Sequence, residues 1–218
     1  TQAVVVTLSQ ANLTLSGAVT GASNFSVLEG SSPVEKLTIG TTITQSALKT
    51  RTYTGDQSST NITVGENNIV IIDTGASVGV TSLLGGTLKG AGTTGNLSMS
   101  SGTVAPGLSP GCLSSGNLNY SGGSLEIEIA GKVACTSYDQ QIVVGTVTLG
   151  SATTLKTSFL QSFVPALNDS FVIINNDASD AVSGTFTGLA QGATFVVSGV
   201  TFQISYTGGD GNDVVLTA

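Results

Sequence analysis

The sequence contains no histidine and no tryptophan, and only 9% of its 218 residues are charged. Without histidine the chain cannot form a His-based catalytic triad, a His metal site or an imidazole acid–base pair. Six lysines and arginines stand against 13 aspartates and glutamates, so no basic patch is available to hold a phosphate backbone. These absences exclude a nucleic-acid partner and the enzymes that depend on histidine.

Long apolar runs are also absent. No stretch approaches the roughly 18–20 residues that a membrane-spanning helix needs, so we expect no membrane insertion. No charged segment precedes an apolar stretch near the start, and we expect any secretion signal to have been removed already. Hydrophobic residues nevertheless make up 39% of the chain and the mean hydropathy is +0.34, which predicts a folded protein.

The residues that are present favour β-structure. Short runs of valine, isoleucine, leucine and threonine alternate with polar residues and are cut by asparagine, serine and the 29 glycines. No long glycine-free window rich in helix formers occurs. The sequence therefore predicts an all-β fold.

An internal repeat narrows that prediction. The pattern asparagine–apolar–polar–apolar recurs at Asn12-Leu-Thr-Leu15, Asn61-Ile-Thr-Val64, Asn96-Leu-Ser-Met99 and Asn117-Leu-Asn-Tyr120. The last two copies are 21 residues apart, as are the glycines Gly102 and Gly123 that follow them, and we place a further copy at Gln141. A period in the low twenties is typical of one coil of a parallel β-helix, whose strands stack about 4.8 Å apart.

Before residue 80 the spacing of the repeat is irregular. We therefore divide the chain into three predicted parts. Residues 1–75 would hold an N-terminal strand and irregular coils or a cap, and residues 76–156 the regular coils. Residues 157–218 would form a C-terminal cap rich in β-hairpins. The predicted fold class is thus a parallel β-helix with a hairpin-rich C-terminal cap.

The two cysteines fit this period. Cys112 precedes Asn117 by five residues and Cys135 precedes Gln141 by six, so both fall at nearly the same corner of successive coils. Stacked corners are close enough for a disulfide, which would indicate an oxidising compartment. The alternative is a pair of buried free thiols in a cytosolic protein.

Several segments together resemble the autotransporter-associated β-strand repeat family of bacteria. They are Thr52-Tyr-Thr-Gly55, Gly85-Gly-Thr-Leu-Lys-Gly-Ala-Gly-Thr-Thr-Gly-Asn-Leu97, Gly102-Thr-Val-Ala-Pro-Gly-Leu-Ser-Pro-Gly111, Leu125-Glu-Ile-Glu-Ile129, Tyr138-Asp-Gln140, Gly184-Thr-Phe186 and Gly208-Gly-Asp-Gly-Asn-Asp-Val-Val-Leu216. The resemblance covers roughly residues 50–218 and implies a secreted, right-handed parallel β-helix of a surface protein. It implies no catalytic residue set. Cys112 departs from the family pattern, in which many members have an aliphatic residue.

The segment from Gly208 to Leu216 also fits a calcium-binding nonapeptide pattern, with Asp210 and Asp213 as ligands. Such sites share calcium between consecutive repeats, and this sequence has a single copy. The alternative is a glycine-rich turn that joins two strands of a closing hairpin. We expect no other cofactor.

Glu126 and Glu128 are the best candidate acid–base pair, because residues two apart on a strand share a face. Only Lys132, in the following loop, offers a cation in phase with them. The alternative is a pair of solvated surface carboxylates. We interpret Tyr138 and Asp139 as a corner that hydrogen-bonds to a neighbouring coil.

The N-terminal stretch is uncharged and β-prone, and we predict that it adds as a strand to another subunit, through Ala3, Val4, Val5, Val6, Thr7 and Leu8. The competing interpretation is that it covers the end of its own fold. Together these features predict a non-catalytic structural or adhesive module, secreted to the bacterial cell surface. Its expected partners are copies of itself, other surface proteins or surface glycans; the alternative function is binding or cleaving polysaccharides.

Overall fold

The computed structural model describes residues 6–8, 27–29, 50–177 and 179–218. Every helix or strand in these ranges is a β-strand, which confirms the all-β prediction. The strands are β1 (Val6–Leu8), β2 (Val27–Glu29), β3 (Thr50–Tyr53), β4 (Asp56–Gln57), β5 (Ile62–Val64), β6 (Ile69–Ile72), β7 (Ser77–Val78), β8 (Thr81–Gly90), β9 (Leu97–Pro106), β10 (Cys112–Ser115), β11 (Leu118–Ile129), β12 (Gln140–Val143), β13 (Val147–Phe159), β14 (Ser170–Asn176), β15 (Ser183–Gly184), β16 (Thr194–Val197), β17 (Val200–Gly208) and β18 (Asp213–Thr217).

The larger of the two main sheets is parallel and has eight strands. Its order is β15-β13-β11-β9-β8-β6-β3, and β5 also pairs with β8. Every pairing in this sheet is parallel. The sheet continues from β3 to β13 across the domain boundary predicted at residue 75.

A second, six-stranded sheet has the order β10-β12-β14-β18-β17-β16. From β9 to β14 the chain alternates between the two sheets, and β10, β12 and β14 pair in parallel. After β14 the pairing turns antiparallel, in a β16–β17 hairpin and a β17–β18 hairpin. Hairpins therefore do lie within the C-terminal segment.

Side chains of matching character stack from one strand of the large sheet to the next. Because the strands are parallel and in register, each inward position forms a column through the core. One column is buried along its whole length and consists of Ile62, Thr81, Leu97, Leu118 and Val147. A second consists of Val64, Leu83, Met99, Tyr120 and Leu149. The alternating sequence pattern thus becomes a continuous apolar core.

The register confirms one repeat and corrects another. Leu97 pairs with Leu118, so the Asn96 and Asn117 copies are aligned as predicted. The copy placed at Gln141 is wrong, because Gln141 pairs with Leu113 in the second sheet. The register partner of Leu118 is instead Val147, and residues 130–139 lengthen the connection before it. A fixed period could not anticipate this insertion.

The long strands also differ from the short runs expected from the sequence. β8, β9, β11 and β13 span 10 to 13 residues, which is longer than the short runs that the alternation predicts. Glycines were interpreted as strand ends, but pairing resumes beyond them with a register shift, as between Tyr120 and Gly122. The glycines therefore bend the strands without ending them.

The asparagine that opens each repeat bridges to the next strand of the large sheet. The Oδ1 atom of Asn61 accepts a hydrogen bond from the backbone of Val80 at 3.0 Å. The Oδ1 atoms of Asn96 and Asn117 accept from the backbones of Asn117 and Thr146, each at 3.0 Å. A Cβ atom at Gly145 would lie only 2.3 Å from the Asn117 oxygen, so the residue before the donor Thr146 must be small.

The N-terminal strand is described only in part. β1 pairs in parallel with β2 of the same chain, with Val6 opposite Val27. Ala3, Val4 and Val5 of the predicted assembly strand, and the first repeat copy at Asn12, lie outside the described residues. β1 therefore has a partner strand within the same chain, in a sheet separate from the two larger ones.

We predict that Asn117→Ala lowers the free energy of unfolding by about 1 kcal/mol, because the Thr146 N–H loses its acceptor. Urea unfolding followed by circular dichroism measures the change. Asn119→Ala is the matched control, since Asn119 is an exposed asparagine two residues further along, on the outward face of β11. Equal losses in the two variants would contradict the bridging role.

Candidate functional site

The outward face of β11 carries the predicted acid–base pair. Glu126 and Glu128 both face outward, as their spacing predicts. Glu126 forms an ion pair with Lys156 of β13 at 3.3 Å, and both side chains are about half exposed. Glu128 accepts a hydrogen bond from the hydroxyl of Ser109 on the opposite side. Each carboxylate therefore has its own partner.

The expectation that no lysine or arginine except Lys132 lies in phase with Glu126 and Glu128 is wrong. Lys156 is the register partner of Glu126 one strand along the sheet. Lys132 instead binds Asp169, and the lysine lowers the pKa of that carboxyl group. The repeat period did not predict the Glu126–Lys156 pair, because the insertion of residues 130–139 places these residues 30 positions apart instead of the expected low twenties.

Asp139 lies at a corner where two strands and a loop meet. Its side chain is only 2% exposed, and its carboxylate accepts backbone hydrogen bonds from Gly111 at 2.7 Å and Glu128 at 2.9 Å. These two donors belong to different passes of the chain through the fold. The interpretation of Asp139 as a corner that bonds to neighbouring segments is confirmed.

Burial raises the pKa of Asp139 to about 7, although both backbone hydrogen bonds oppose the shift. The neighbouring Tyr138 is also buried and packs edge-on against Phe171 with ring centroids 5.3 Å apart. Desolvation likewise raises the pKa of Tyr138. A carboxyl group that titrates near neutrality would suit acid–base chemistry, but this one is enclosed and bonded to backbone groups.

Cys112 and Cys135 form a disulfide with their Cα atoms 4.7 Å apart, as predicted. The predicted alignment of the two cysteines at one corner of successive coils is wrong. Cys112 is aligned with Gln140, whereas Cys135 lies in the loop after β11, with a positive φ of 63°. The disulfide therefore ties the inserted loop to β10.

The glycine-rich motif near the C-terminus forms the turn between β17 and β18, with Gly208 opposite Asp213. Asp213 is buried, and its Oδ1 accepts a hydrogen bond from the backbone of Asn176 at 2.9 Å. Asp210 is exposed. Within the described ranges, no group of three or more His, Cys, Asp or Glu side chains could hold a metal ion.

Comparison with known proteins gives no match to a family model, a curated protein or a solved structure. In the part of the chain that the structure describes, no helix is long and apolar enough to cross a membrane. The function must therefore be argued from the arrangement of the residues themselves.

We predict that Asp139 makes the protein less stable as the pH rises from about 4 to about 7. Its pKa is near 7 in the folded state and 3.8 in the unfolded chain, so the folded state holds the proton over this interval. The stabilisation that this bound proton provides is fully present at a pH below 3.8, the pKa in the unfolded chain. It is lost as the pH rises through about 7, the pKa in the folded state. Urea titrations at pH 5 and pH 8 should differ by about 1–4 kcal/mol from this group.

Asp139→Asn should remove this part of the pH dependence, because the amide does not titrate. The same titrations on Glu66→Gln, which alters an exposed carboxylate, provide the control. An unchanged pH slope in Asp139→Asn would show that Asp139 is ionised throughout.

We predict that replacing both cysteines with serine lowers the free energy of unfolding by about 3 kcal/mol, because the disulfide closes a loop of 23 residues. Intact mass measured with and without reductant establishes whether the bond is present. Two free thiols in unreduced, carefully isolated protein would contradict the assignment and weaken the extracellular localisation.

Proposed function

We propose that this chain is a right-handed parallel β-helix that serves as a non-catalytic structural or adhesive module of a secreted bacterial surface protein or filament. The observation that carries the proposal is the in-register stacking of parallel strands in two alternating sheets. Single bridges from Ser77 to Thr93 and from Thr93 to Ser114 extend the second line of pairing alongside the large sheet. This pattern is what successive coils of a β-helix produce.

The localisation rests on the disulfide and the composition. A disulfide between Cys112 and Cys135 is consistent with an extracellular location, where thiols are oxidised. The low content of charged residues suits a rod whose stability comes from stacked backbone hydrogen bonds and apolar columns. The resemblance to the autotransporter-associated repeat family supports the same assignment.

The arrangement of the acidic residues supports a non-catalytic role. Hydrolysis of a glycosidic bond needs two carboxyl groups that face one substrate bond. Glu126 is engaged by Lys156, Glu128 by Ser109, and Asp139 by two backbone N–H groups. These partners occupy each carboxylate with a structural interaction.

Polysaccharide binding or cleavage is the second candidate. It is favoured by one observation, the exposed Glu126–Lys156 pair beside Glu128 on a single face of the large sheet. Carboxylates can accept hydrogen bonds from sugar hydroxyl groups, and a lysine beside them can bind the carboxylate of a uronic acid. Assays on pectin, alginate, chitin and peptidoglycan test it, and turnover that is lost in Glu126→Gln or Glu128→Gln would replace the structural proposal.

The proposal includes self-association through the N-terminal strand. β1 already pairs with β2 on one side, so head-to-tail assembly through residues 3–8 would use its other edge. We expect the intact protein to form rods or filaments under the electron microscope. A chain that lacks residues 1–10 should keep its β-sheet circular dichroism and remain monomeric in light scattering.

An intact protein that stays monomeric at high concentration and binds no surface component would overturn the structural proposal. A shortened chain that assembles as well as the intact one would overturn only the part assigned to the N-terminal strand.

A further inference from the structure

Two buried asparagine side chains converge on one backbone carbonyl in the C-terminal part of the fold. Asn176 ends β14 and is 1% exposed, and Asn212 lies in the turn before β18 and is 4% exposed. The Nδ2 atoms of Asn176 and Asn212 donate to the carbonyl of Asp180 at 2.7 and 3.1 Å. Asn212 Nδ2 also donates to the carbonyl of Asp177 at 3.0 Å.

These carbonyl acceptors fix the orientation of both amides, because a flipped amide would set oxygen against oxygen. The Oδ1 atoms of Asn176 and Asn212 are buried and have no hydrogen-bond donor. The Oδ2 atom of Asp180 is buried without a donor as well. Three of the six unpartnered buried side-chain polar atoms in the described residues thus belong to this cluster.

All three atoms are oxygens, so the missing partner must be electropositive. Buried oxygens without a donor are unfavourable, and native proteins satisfy them with protein groups, water or ions. Amide and carboxylate oxygens are the ligands that calcium prefers. The protein supplies no competing cation nearby in sequence, since no lysine or arginine follows Lys156.

The surrounding charge favours a cation over a water molecule. Asp213 bonds to the backbone of Asn176, and the Oδ1 of Asp177 accepts from the backbone of Gly145 at 2.9 Å. Both carboxylates are held beside the cluster by these bonds and add negative potential to that of Asp180.

We propose that Asn176, Asp180 and Asn212 form a calcium site that ties the end of β14 to the turn before β18. The site differs from the nonapeptide pattern in the same turn, because its carboxylate comes from Asp180 and the exposed Asp210 takes no part. The proposal is independent of the proposed function. With one carboxylate and two amides, the affinity falls in the range of weak extracellular sites, about 10⁻⁴–10⁻³ M.

The test is thermal unfolding of the full chain after removal of metal with a chelator. Calcium chloride at about 10 mM should raise the melting temperature by about 3–10 °C over sodium chloride of equal ionic strength. Equilibrium dialysis with radioactive calcium should show a single saturable site. Asp180→Asn should abolish both effects, because it removes the charged ligand and keeps the shape of the side chain.

Asp210→Asn is the matched control, since it removes the same charge from the neighbouring turn and should retain both effects. Far-UV circular dichroism establishes that each variant is folded, and Asp180→Glu, which keeps the charge but moves the oxygens, should weaken calcium binding if Asp180→Asn does not fold. Equal losses in the Asp180 and Asp210 variants would overturn the proposal in favour of a general charge effect. The absence of bound calcium in the intact protein would overturn it in favour of ordered water.

Discussion

The backbone hydrogen bonds between parallel strands are the constraint on which the rest of this structure depends. The strands of the large sheet pair in parallel register, so a shift by one residue would move every inward side chain to the outside. The apolar columns that include Leu97 and Leu118 exist only because this register is kept. The Asn96 and Asn117 bridges act on the same constraint, because each fixes the position at which the next strand begins. Glycines are needed where the passes touch, as at Gly90, where a Cβ would lie 2.0 Å from the Ile72 carbonyl oxygen.

The insertion of residues 130–139 shows how the register survives an irregular segment. The bridging contact between successive strands spans 21 residues from Asn96 to Asn117, and then 29 residues from Asn117 to Thr146. The disulfide holds this loop to β10, and Asp139 bonds it to the backbone on both sides. With the loop held at these points, β12 and β13 resume parallel pairing with the strands before them. The disulfide and the buried carboxylate therefore serve a structural purpose, which is to keep the extra chain from disturbing the stack.

The sequence was informative where local pattern and stacking agree. Alternation of apolar and polar residues predicted β-structure. The spacing of Asn96 and Asn117 predicted their alignment, because no insertion interrupts the segment between these two residues. The alignment of Gln141 and the cation partner of Glu126 were predicted incorrectly for a single reason, since both lie beyond the insertion. The pairing of the cysteines was predicted correctly, although Cys135 reaches Cys112 from a loop. No local signal marks the convergence of Asn176 and Asn212, because they are 36 residues apart in sequence and meet only through the antiparallel pairing of β14 with β18.

The two ends of the stack are built differently, and this difference bears on assembly. At the C-terminal end, antiparallel strands β18, β17 and β16 follow β14, and the large sheet ends in the two-residue strand β15. Short edge strands and hairpins offer few free backbone groups in register with a further parallel strand, so they discourage extension. At the other end, β3 pairs only with β6 within the described residues, and the β1–β2 pair is a separate parallel ladder. A parallel edge of this kind is the one that could accept a strand in the same register. Under the proposed function, self-association would therefore begin at this edge, on the side of the sheet that the uncharged β-prone segment precedes in the sequence.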